Sequence, residues 1–245
     1  MFVPESLRKQ NELIRTLQKQ LNATARELAA AGAKLMLGAR RTDRLERLAA
    51  ELGENVAWAR LDVTEREGFA AFAAAAEERF GRVDVLVNNA GVMPLSPLSA
   101  LLVDQWDWMI DVNVRGVLNG IAAVLPRFVA RGSGHVVNVA STAAYRVFPG
   151  AAVYCGTKYA VRAITDGLRM EHTDLRATTI SPAATESELA TTITDPTSQE
   201  MVTAFRNAGM LRPDAIARAI RFAIEQPADV DVSEIIVRPT VSNMS

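Results

Sequence analysis

A tyrosine and a lysine stand four residues apart in the segment YCGTK, as Tyr154 and Lys158. Residues at this spacing share one face of a helix, so the phenol and the ammonium can reach a common pocket. A phenol with its ordinary pKa of about 10 exchanges protons poorly at neutral pH, and a neighbouring cation favours the phenolate. The pair could therefore give or take a proton at a carbonyl or alcohol oxygen. The same spacing is also common among helix-surface pairs that have no chemical task.

Two more polar residues stand where a site could use them. Ser141 ends the apolar run 134–141, at the carboxyl edge of a predicted parallel strand, where open α/β sheets bind ligands. Its hydroxyl could bond a substrate oxygen beside Tyr154, or it could cap a turn. Asn113 lies between two valines in a predicted helix, and an amide buried there without a partner would cost about 1–3 kcal/mol. We therefore expect Asn113 to have a hydrogen-bonding task, either at the site or in mending a distorted helix.

A polar segment with small residues, Asn88-Asn89-Ala90-Gly91, directly follows the apolar run DVLV. Polar side chains at a strand end, followed by alanine and glycine, allow a ligand to approach the backbone closely. A simple turn is the alternative interpretation.

The elements that must position these residues alternate along the chain. Short apolar runs and helical patterns follow one another from about residue 33, which predicts a parallel sheet with helices on both faces. The predicted strands are 33–39, 55–63, 82–90, 134–141, 176–181 and 233–239. The predicted helices are 42–52, 65–80, 104–131, 151–172 and 213–226. Loops are predicted at 91–100 and 186–212, and the second is long enough to form a lid over a site.

The first thirty residues follow a different pattern. No glycine occurs between Pro4 and Ala31, and leucine or isoleucine recurs every seven residues at 7, 14, 21 and 28. This stripe predicts one long amphipathic helix, which packs on the body of the protein or on another subunit. A short strand at 13–17 is the alternative.

Composition limits the class of protein. The 245 residues are 49% apolar and 22% charged, which suits one α/β domain or two small ones, and the net charge of −1 suggests no nucleic-acid or membrane-surface partner. Cys155 is the only cysteine, so no intramolecular disulfide can form and a reducing compartment is expected. No apolar run reaches the ~18 residues of a membrane span, and early charges interrupt any signal core, so we expect a cytoplasmic protein.

Taken in order, NNAG at 88–91, Asn113, Ser141 and the Tyr154/Lys158 pair resemble the short-chain dehydrogenase/reductase family. LDVT at 61–64 and SP at 181–182 agree, and GVMPLSPL before a tryptophan-containing helix is similar to bacterial 3-oxoacyl-(acyl-carrier-protein) reductase-like members. The resemblance runs from about Thr24 to the C-terminus. It implies a Rossmann-like, doubly wound parallel sheet in a single domain of residues 1–245. It also implies a nicotinamide-dependent oxidoreductase acting on a small carbonyl or alcohol substrate.

The resemblance also implies roles for the catalytic set. Tyr154 would be the general acid/base, and Lys158 would lower its pKa while holding the nicotinamide ribose. Ser141 would orient the substrate oxygen. Asn113 would hold a water that links Lys158 to solvent.

Cofactor contacts follow from the same resemblance. Two arginines directly after the run 33–39 suit a 2′-phosphate, and no acidic residue for a free 2′-hydroxyl stands there, so NADP(H) is favoured over NAD(H). Ser187 stands where a threonine commonly contacts the nicotinamide amide, and Pro182-Ala183 replaces the usual Pro-Gly. The full set of expected cofactor residues is Arg40, Arg41, Asp62, Val63, Asn89, Ala90, Gly91, Tyr154, Lys158, Pro182 and Ser187.

One family feature is missing. The TGxxxGxG turn, whose backbone amides hold the pyrophosphate, falls on Arg15, Lys19 and Leu21. The strand before that turn is central in the family, between the runs 33–39 and 82–90. Without it a gap of about 10 Å would open between those strands, or the two strands would be forced together. We therefore expect an altered sheet in which the first strand and the glycine turn are replaced by the N-terminal helix, which covers exposed apolar surface.

Two hypotheses follow. The first is an NADP(H)-dependent carbonyl reductase or alcohol dehydrogenase that assembles as a homo-dimer or homo-tetramer, as the family often does, through the helices 104–131 and 151–172. The second is a non-catalytic relative with impaired cofactor binding, whose N-terminal helix mediates assembly. The segment 186–212 points to no particular carbonyl substrate.

Overall fold

Six parallel strands form two sheets in the computed structural model, which describes residues 19–207 and 209–241. In the first sheet, β1 (Leu35–Ala39) pairs with β2 (Val56–Arg60). The second has the order β3 (Val85–Asn88), β4 (His135–Val139), β5 (Arg176–Pro182) and β6 (Glu234–Val237). The predicted strands and the α/β class are confirmed.

Helices alternate with these strands. They are α1 (Lys19–Ala30), α2 (Thr42–Leu52), α3 (Arg66–Phe80), α4 (Val103–Ile110), α5 (Gly116–Arg131), α6 (Ala152–Glu171), α7 (Pro196–Asn207) and α8 (Pro213–Ile224). The predicted helix 104–131 is present, but a π-helical turn at Asp111–Arg115 separates α4 from α5.

The prediction of a loop over 186–212 was wrong in part. This segment contains a 3₁₀ turn at Leu189–Thr192 and the helix α7. Asp195 caps α7 by accepting a hydrogen bond from the Ser198 amide (2.8 Å), and Pro196 occupies the first helical position. Both are ordinary helix-start signals. The segment, named the lid after its predicted role, is therefore partly helical.

A break separates the two sheets at the position where the sequence predicts an altered sheet. β1 and β3 do not pair, and no strand lies between them in the described part of the chain. A large cavity lies there instead, lined by the side chains of both strands. Residues 4–18 of the predicted N-terminal helix, and the alternative strand at 13–17, lie outside the described residues.

The described part of the N-terminal helix, α1, packs on the body of the protein. Ala25 and Leu28 are buried, and Ala25 belongs to the apolar cluster formed with Leu37 of β1 and Leu45 of α2. An ion pair between Glu27 and Arg221 (3.1 Å) joins α1 to α8. The apolar stripe therefore stabilises this chain's own fold along residues 19–30.

The strand β4 forms the centre of the larger sheet, and all five of its residues are buried. Its Asn138 accepts a hydrogen bond from Asn88 of β3 (2.9 Å) and donates one to Thr165 of α6 (2.9 Å). This buried chain of amides ties β3, β4 and α6 together. Gly120 of α5 is required beside it, because a Cβ there would collide with the Asn88 amide and the Phe69 ring.

The continuous helical run Val103–Arg131 is, among the described helices, the one long and apolar enough to cross a membrane. Of its most apolar window, 56% is buried inside the protein. It contributes Val117, Val124 and Phe128 to the largest apolar cluster. This packing is typical of a core helix.

Candidate active site

Tyr154 and Lys158 lie one turn apart on α6, and both side chains are buried. The Lys158 Nζ donates a hydrogen bond to the Val139 carbonyl (3.0 Å) at the carboxyl end of β4. It lies 5.8 Å from the centroid of the Tyr154 ring. The end of the central strand therefore fixes the ammonium beside the phenol, as the spacing predicts.

Burial shifts the pKa of both groups. It lowers the pKa of Lys158 to about 8, because an ammonium loses hydration inside the protein. It raises the pKa of Tyr154 to about 12, with the hydrogen bond to Ser141 opposing the rise. Burial thus dominates the pKa of the phenol, which holds its proton at neutral pH, and the lowering expected from Lys158 remains a prediction.

Ser141 lies at the carboxyl end of β4 and serves two structural partners. Its Oγ accepts a hydrogen bond from the Ala143 amide (3.1 Å), which caps the 3₁₀ turn Thr142–Ala144, and donates one to the Pro182 carbonyl (3.4 Å). Ser141 therefore both caps this turn and lies beside Tyr154.

Asn113 lies in the π-helical turn and is buried. Its Oδ1 accepts from the Val92 amide (2.8 Å), and its Nδ2 donates to the Val92 carbonyl (2.9 Å) and to the Thr157 Oγ1 (3.1 Å). A Cβ on Gly91 would lie 3.5 Å from the Asn113 Oδ1 and 3.7 Å from the Lys158 Nζ. The Gly91 residue thus lies close to both the Asn113 amide and the Lys158 ammonium. The water expected at Asn113 remains a prediction.

A cavity of about 1750 Å³ connects these residues with the break between the sheets. This volume exceeds the roughly 300–1,000 Å³ of ordinary small-molecule pockets. Apart from Asn113, every expected site residue lines it: Arg40, Arg41, Asp62, Val63, Asn89, Ala90, Gly91, Ser141, Tyr154, Lys158, Pro182 and Ser187.

The end of the cavity beside β1 and β2 carries charged and polar groups. The Asp62 carboxylate accepts hydrogen bonds from the Thr64 hydroxyl (2.8 Å) and the Thr64 amide (3.1 Å). Burial acts to raise the pKa of Asp62, but these bonds together with Arg40 bring it below its usual range. The Oδ1 of Asn89 is buried and has no hydrogen-bond partner among the described residues, so it can accept a bond from a ligand.

The lid brings a residue to the cavity that the sequence analysis missed. Glu188, next to Ser187, has a fully buried side chain and lies 3.6 Å from the Arg41 guanidinium. Nearby, Lys19 of α1 pairs with Glu186 of the lid at 3.5 Å. Nothing in the pattern around Glu188 predicts burial, because its contact with Arg41 joins residues distant in sequence.

Comparisons with known proteins agree with this geometry. A family model described as "short chain dehydrogenase" matches residues 22–198. An uncharacterized oxidoreductase of Staphylococcus saprophyticus is 48% identical over 227 residues, which cover 90% of this chain and 92% of that protein.

Two solved structures are similar along most of their length. The alcohol dehydrogenase of the archaeon Thermococcus sibiricus, complexed with 5-hydroxy-NADP, has a TM-score of 0.80 and 34% identity and covers 91% of this chain and 93% of its own. The 3-ketoacyl-(acyl-carrier-protein) reductase of Brucella melitensis, complexed with NADH, has a TM-score of 0.80 and 29% identity and covers 89% of this chain and 92% of its own.

Proposed function

The chain belongs to the short-chain dehydrogenase/reductase family of oxidoreductases, and on that premise we propose that it is an NADP(H)-dependent oxidoreductase of small carbonyl or alcohol substrates. One observation carries the proposal. The buried Tyr154 and Lys158 and the partly buried Ser141 line a cavity that the expected cofactor residues also line. This arrangement supports a phenol that exchanges its proton beside a bound dinucleotide.

Bound nicotinamide would exchange a hydride with the carbonyl carbon, and the chain's own residues handle the oxygen. In the direction of reduction, the Tyr154 hydroxyl donates its proton to the oxygen as negative charge develops there. The Ser141 hydroxyl, turned away from its long 3.4 Å bond to the Pro182 carbonyl, donates a hydrogen bond to the same oxygen and orients it. Lys158 is charged below its pKa of about 8, so its ammonium stabilises the phenolate left after the transfer.

The residues at both ends of the cavity fit a dinucleotide. Asn89 offers a buried acceptor without a partner in the described chain, suited to a ribose hydroxyl. Lys158 and Ser187, which line the same cavity, are assigned to the nicotinamide end. Lys19, which also lines the cavity, aligns with one lost glycine position, and a flexible ammonium holds a phosphate less tightly than converging amides do. We expect the cofactor to be held mainly at its two ends.

Two further observations bear on assembly. Apolar side chains remain exposed on α4–α6, at Ile110, Leu118 and Met170, which supports the expected homo-dimer or homo-tetramer through these helices. The packing of α1 on the body gives no support to the non-catalytic assembly hypothesis for residues 19–30.

The choice of NADP(H) is tested at Arg40, which is exposed at the rim of the cavity. We expect the purified protein to oxidise NADPH when small ketones or aldehydes are added. Arg40→Ala should raise the KM for NADPH about tenfold, because a charge-assisted hydrogen bond to the phosphate is lost. The KM for NADH, which lacks the 2′-phosphate, should stay within about twofold.

Arg47→Ala is the matched control, because Arg47 is exposed on α2, the helix that follows Arg40, where it pairs with Asp43 at 2.7 Å. It removes the same charge at a greater distance from the cavity. An equal rise in KM for both cofactors in Arg40→Ala, or the same rise in Arg47→Ala, would argue against a 2′-phosphate site at Arg40.

A further inference from the structure

Glu188 is the buried acidic residue of the lid that the proposed chemistry leaves without a role. Its side chain is 0% exposed, and neither carboxylate oxygen has a hydrogen-bond partner within the part of the chain that the structure describes. Burial raises the pKa of Glu188 to about 7, while Arg41 and Arg44 act to lower it. A carboxylate in this position is costly unless a cation compensates it.

Arg41 is the cation nearest to Glu188. The two groups approach to 3.6 Å, which gives electrostatic attraction without a good hydrogen bond. Arg41 is also one of the two arginines expected to meet the 2′-phosphate of NADP(H). The same guanidinium therefore faces two anions, one fixed on the lid and one brought by the cofactor.

We propose that Glu188 is a specificity-determining residue that competes with the 2′-phosphate of the cofactor for Arg41. The inference rests on the proposed function, because it concerns the selection between NADP(H) and NAD(H) at that same site. When the 2′-phosphate is present, Glu188 repels it and shares the guanidinium with it. When it is absent, the pair with Arg41 is undisturbed. The lid thus keeps the preference for NADP(H) below what two arginines alone would give.

Neighbouring charges support this competition. Arg44 lies on α2, four residues after Arg40. It interacts electrostatically with both Arg41 and Glu188, and burial and the repulsion from Arg41 lower its pKa. Glu188 and Asp43 are the carboxylates that oppose this repulsion. Removing the Glu188 carboxylate makes the site around Arg41 more positive, and a more positive site binds a doubly charged phosphate more tightly.

Binding of two nicotinamide-free probes tests the proposal. Calorimetry measures the affinities of 2′-phospho-ADP-ribose and ADP-ribose, which differ only in the phosphate. We expect Glu188→Gln to raise the ratio of the two affinities, in favour of the phosphorylated probe, about fivefold. Glu186→Gln is the matched control, because it removes the same charge two residues away, from a carboxylate that is 40% exposed and pairs with Lys19. Its ratio should stay at the wild-type value.

An Arg41→Ala variant tests whether the change in the affinity ratio depends on Arg41. With Arg41→Ala already present, Glu188→Gln should leave the ratio unchanged, because the contested cation is gone. Glu188→Ala should reproduce the change seen with Glu188→Gln, and thermal melts of all variants confirm folding. An unchanged ratio in both Glu188 variants, an equal gain for both probes, or a persistent effect without Arg41 would overturn the inference and leave the proposed function standing. Failure of the wild type to bind either probe would instead contradict the proposed function.

Discussion

Tyr154→Phe is expected to lower kcat by about 10²- to 10⁴-fold, because the variant loses the hydroxyl that exchanges the proton. The ring remains, and the buried neighbourhood of Tyr154 is apolar, with Val92, Leu95 and Cys155 in the same cluster. The affinity for NADPH should therefore change by less than about twofold. Steady-state rates and a fluorescence titration with NADPH measure the two quantities on the same preparation.

Tyr159→Phe is the matched control, since Tyr159 lies five residues further along α6 with 40% of its surface exposed. It loses the same hydroxyl and should turn over at the wild-type rate. If both Tyr154→Phe and Tyr159→Phe retained turnover, the phenol of Tyr154 would not be the proton donor.

Lys158→Met is expected to stabilise the fold while it abolishes turnover. Burial lowers the pKa of Lys158 from 10.5 to about 8, so keeping the ammonium charged inside the protein costs about 3 kcal/mol below pH 8. The variant removes that cost. It also leaves the Val139 carbonyl without its donor, which destabilises the fold by about 1 kcal/mol. We expect a net gain of about 2 kcal/mol in the free energy of unfolding at pH 7.

The pH dependence of this gain follows from the sign of the shift. Because the folded state binds the proton less tightly than the unfolded state, wild-type stability rises relative to the variant as the pH goes from about 8 to 10.5. Urea unfolding at several pH values should show the advantage of Lys158→Met shrinking across that window. A constant difference, or a variant less stable at pH 7, would mean that the ammonium is not a buried charge held for function.

Much of the fold was predictable because the strands are buried on both faces. β4 has no exposed residue, and such a continuous apolar run is typical of a parallel sheet between helices. The π-helical turn was harder to predict. It is held by bonds from Asn113 to Val92 and Thr157, which join residues far apart in sequence. The position of Asn113 between two valines indicated that its amide needs hydrogen-bond partners, but the adjacent sequence could not show which residues they are.

The candidate site likewise contains some residues that the sequence predicts and others that it does not. Tyr154, Lys158 and Ser141 were predictable because a helical spacing and a strand end fix their places. The extent of burial that raises the pKa of Tyr154 could not be predicted, since its packing partners, such as Ile193, are distant in sequence. The burial of Glu188 could not be predicted either, because nothing in the neighbouring sequence indicates it.

The proposed function depends most on whether this chain, which lacks the glycine turn of the family, binds a dinucleotide. Calorimetric titration of the purified 245-residue chain with NADPH measures this directly. We predict saturable binding of one NADPH per chain, with a dissociation constant below about 1 mM, or about −4 kcal/mol. Absence of any binding heat at millimolar NADPH, confirmed by unchanged tryptophan fluorescence, would contradict the proposal that this chain is a nicotinamide-dependent oxidoreductase.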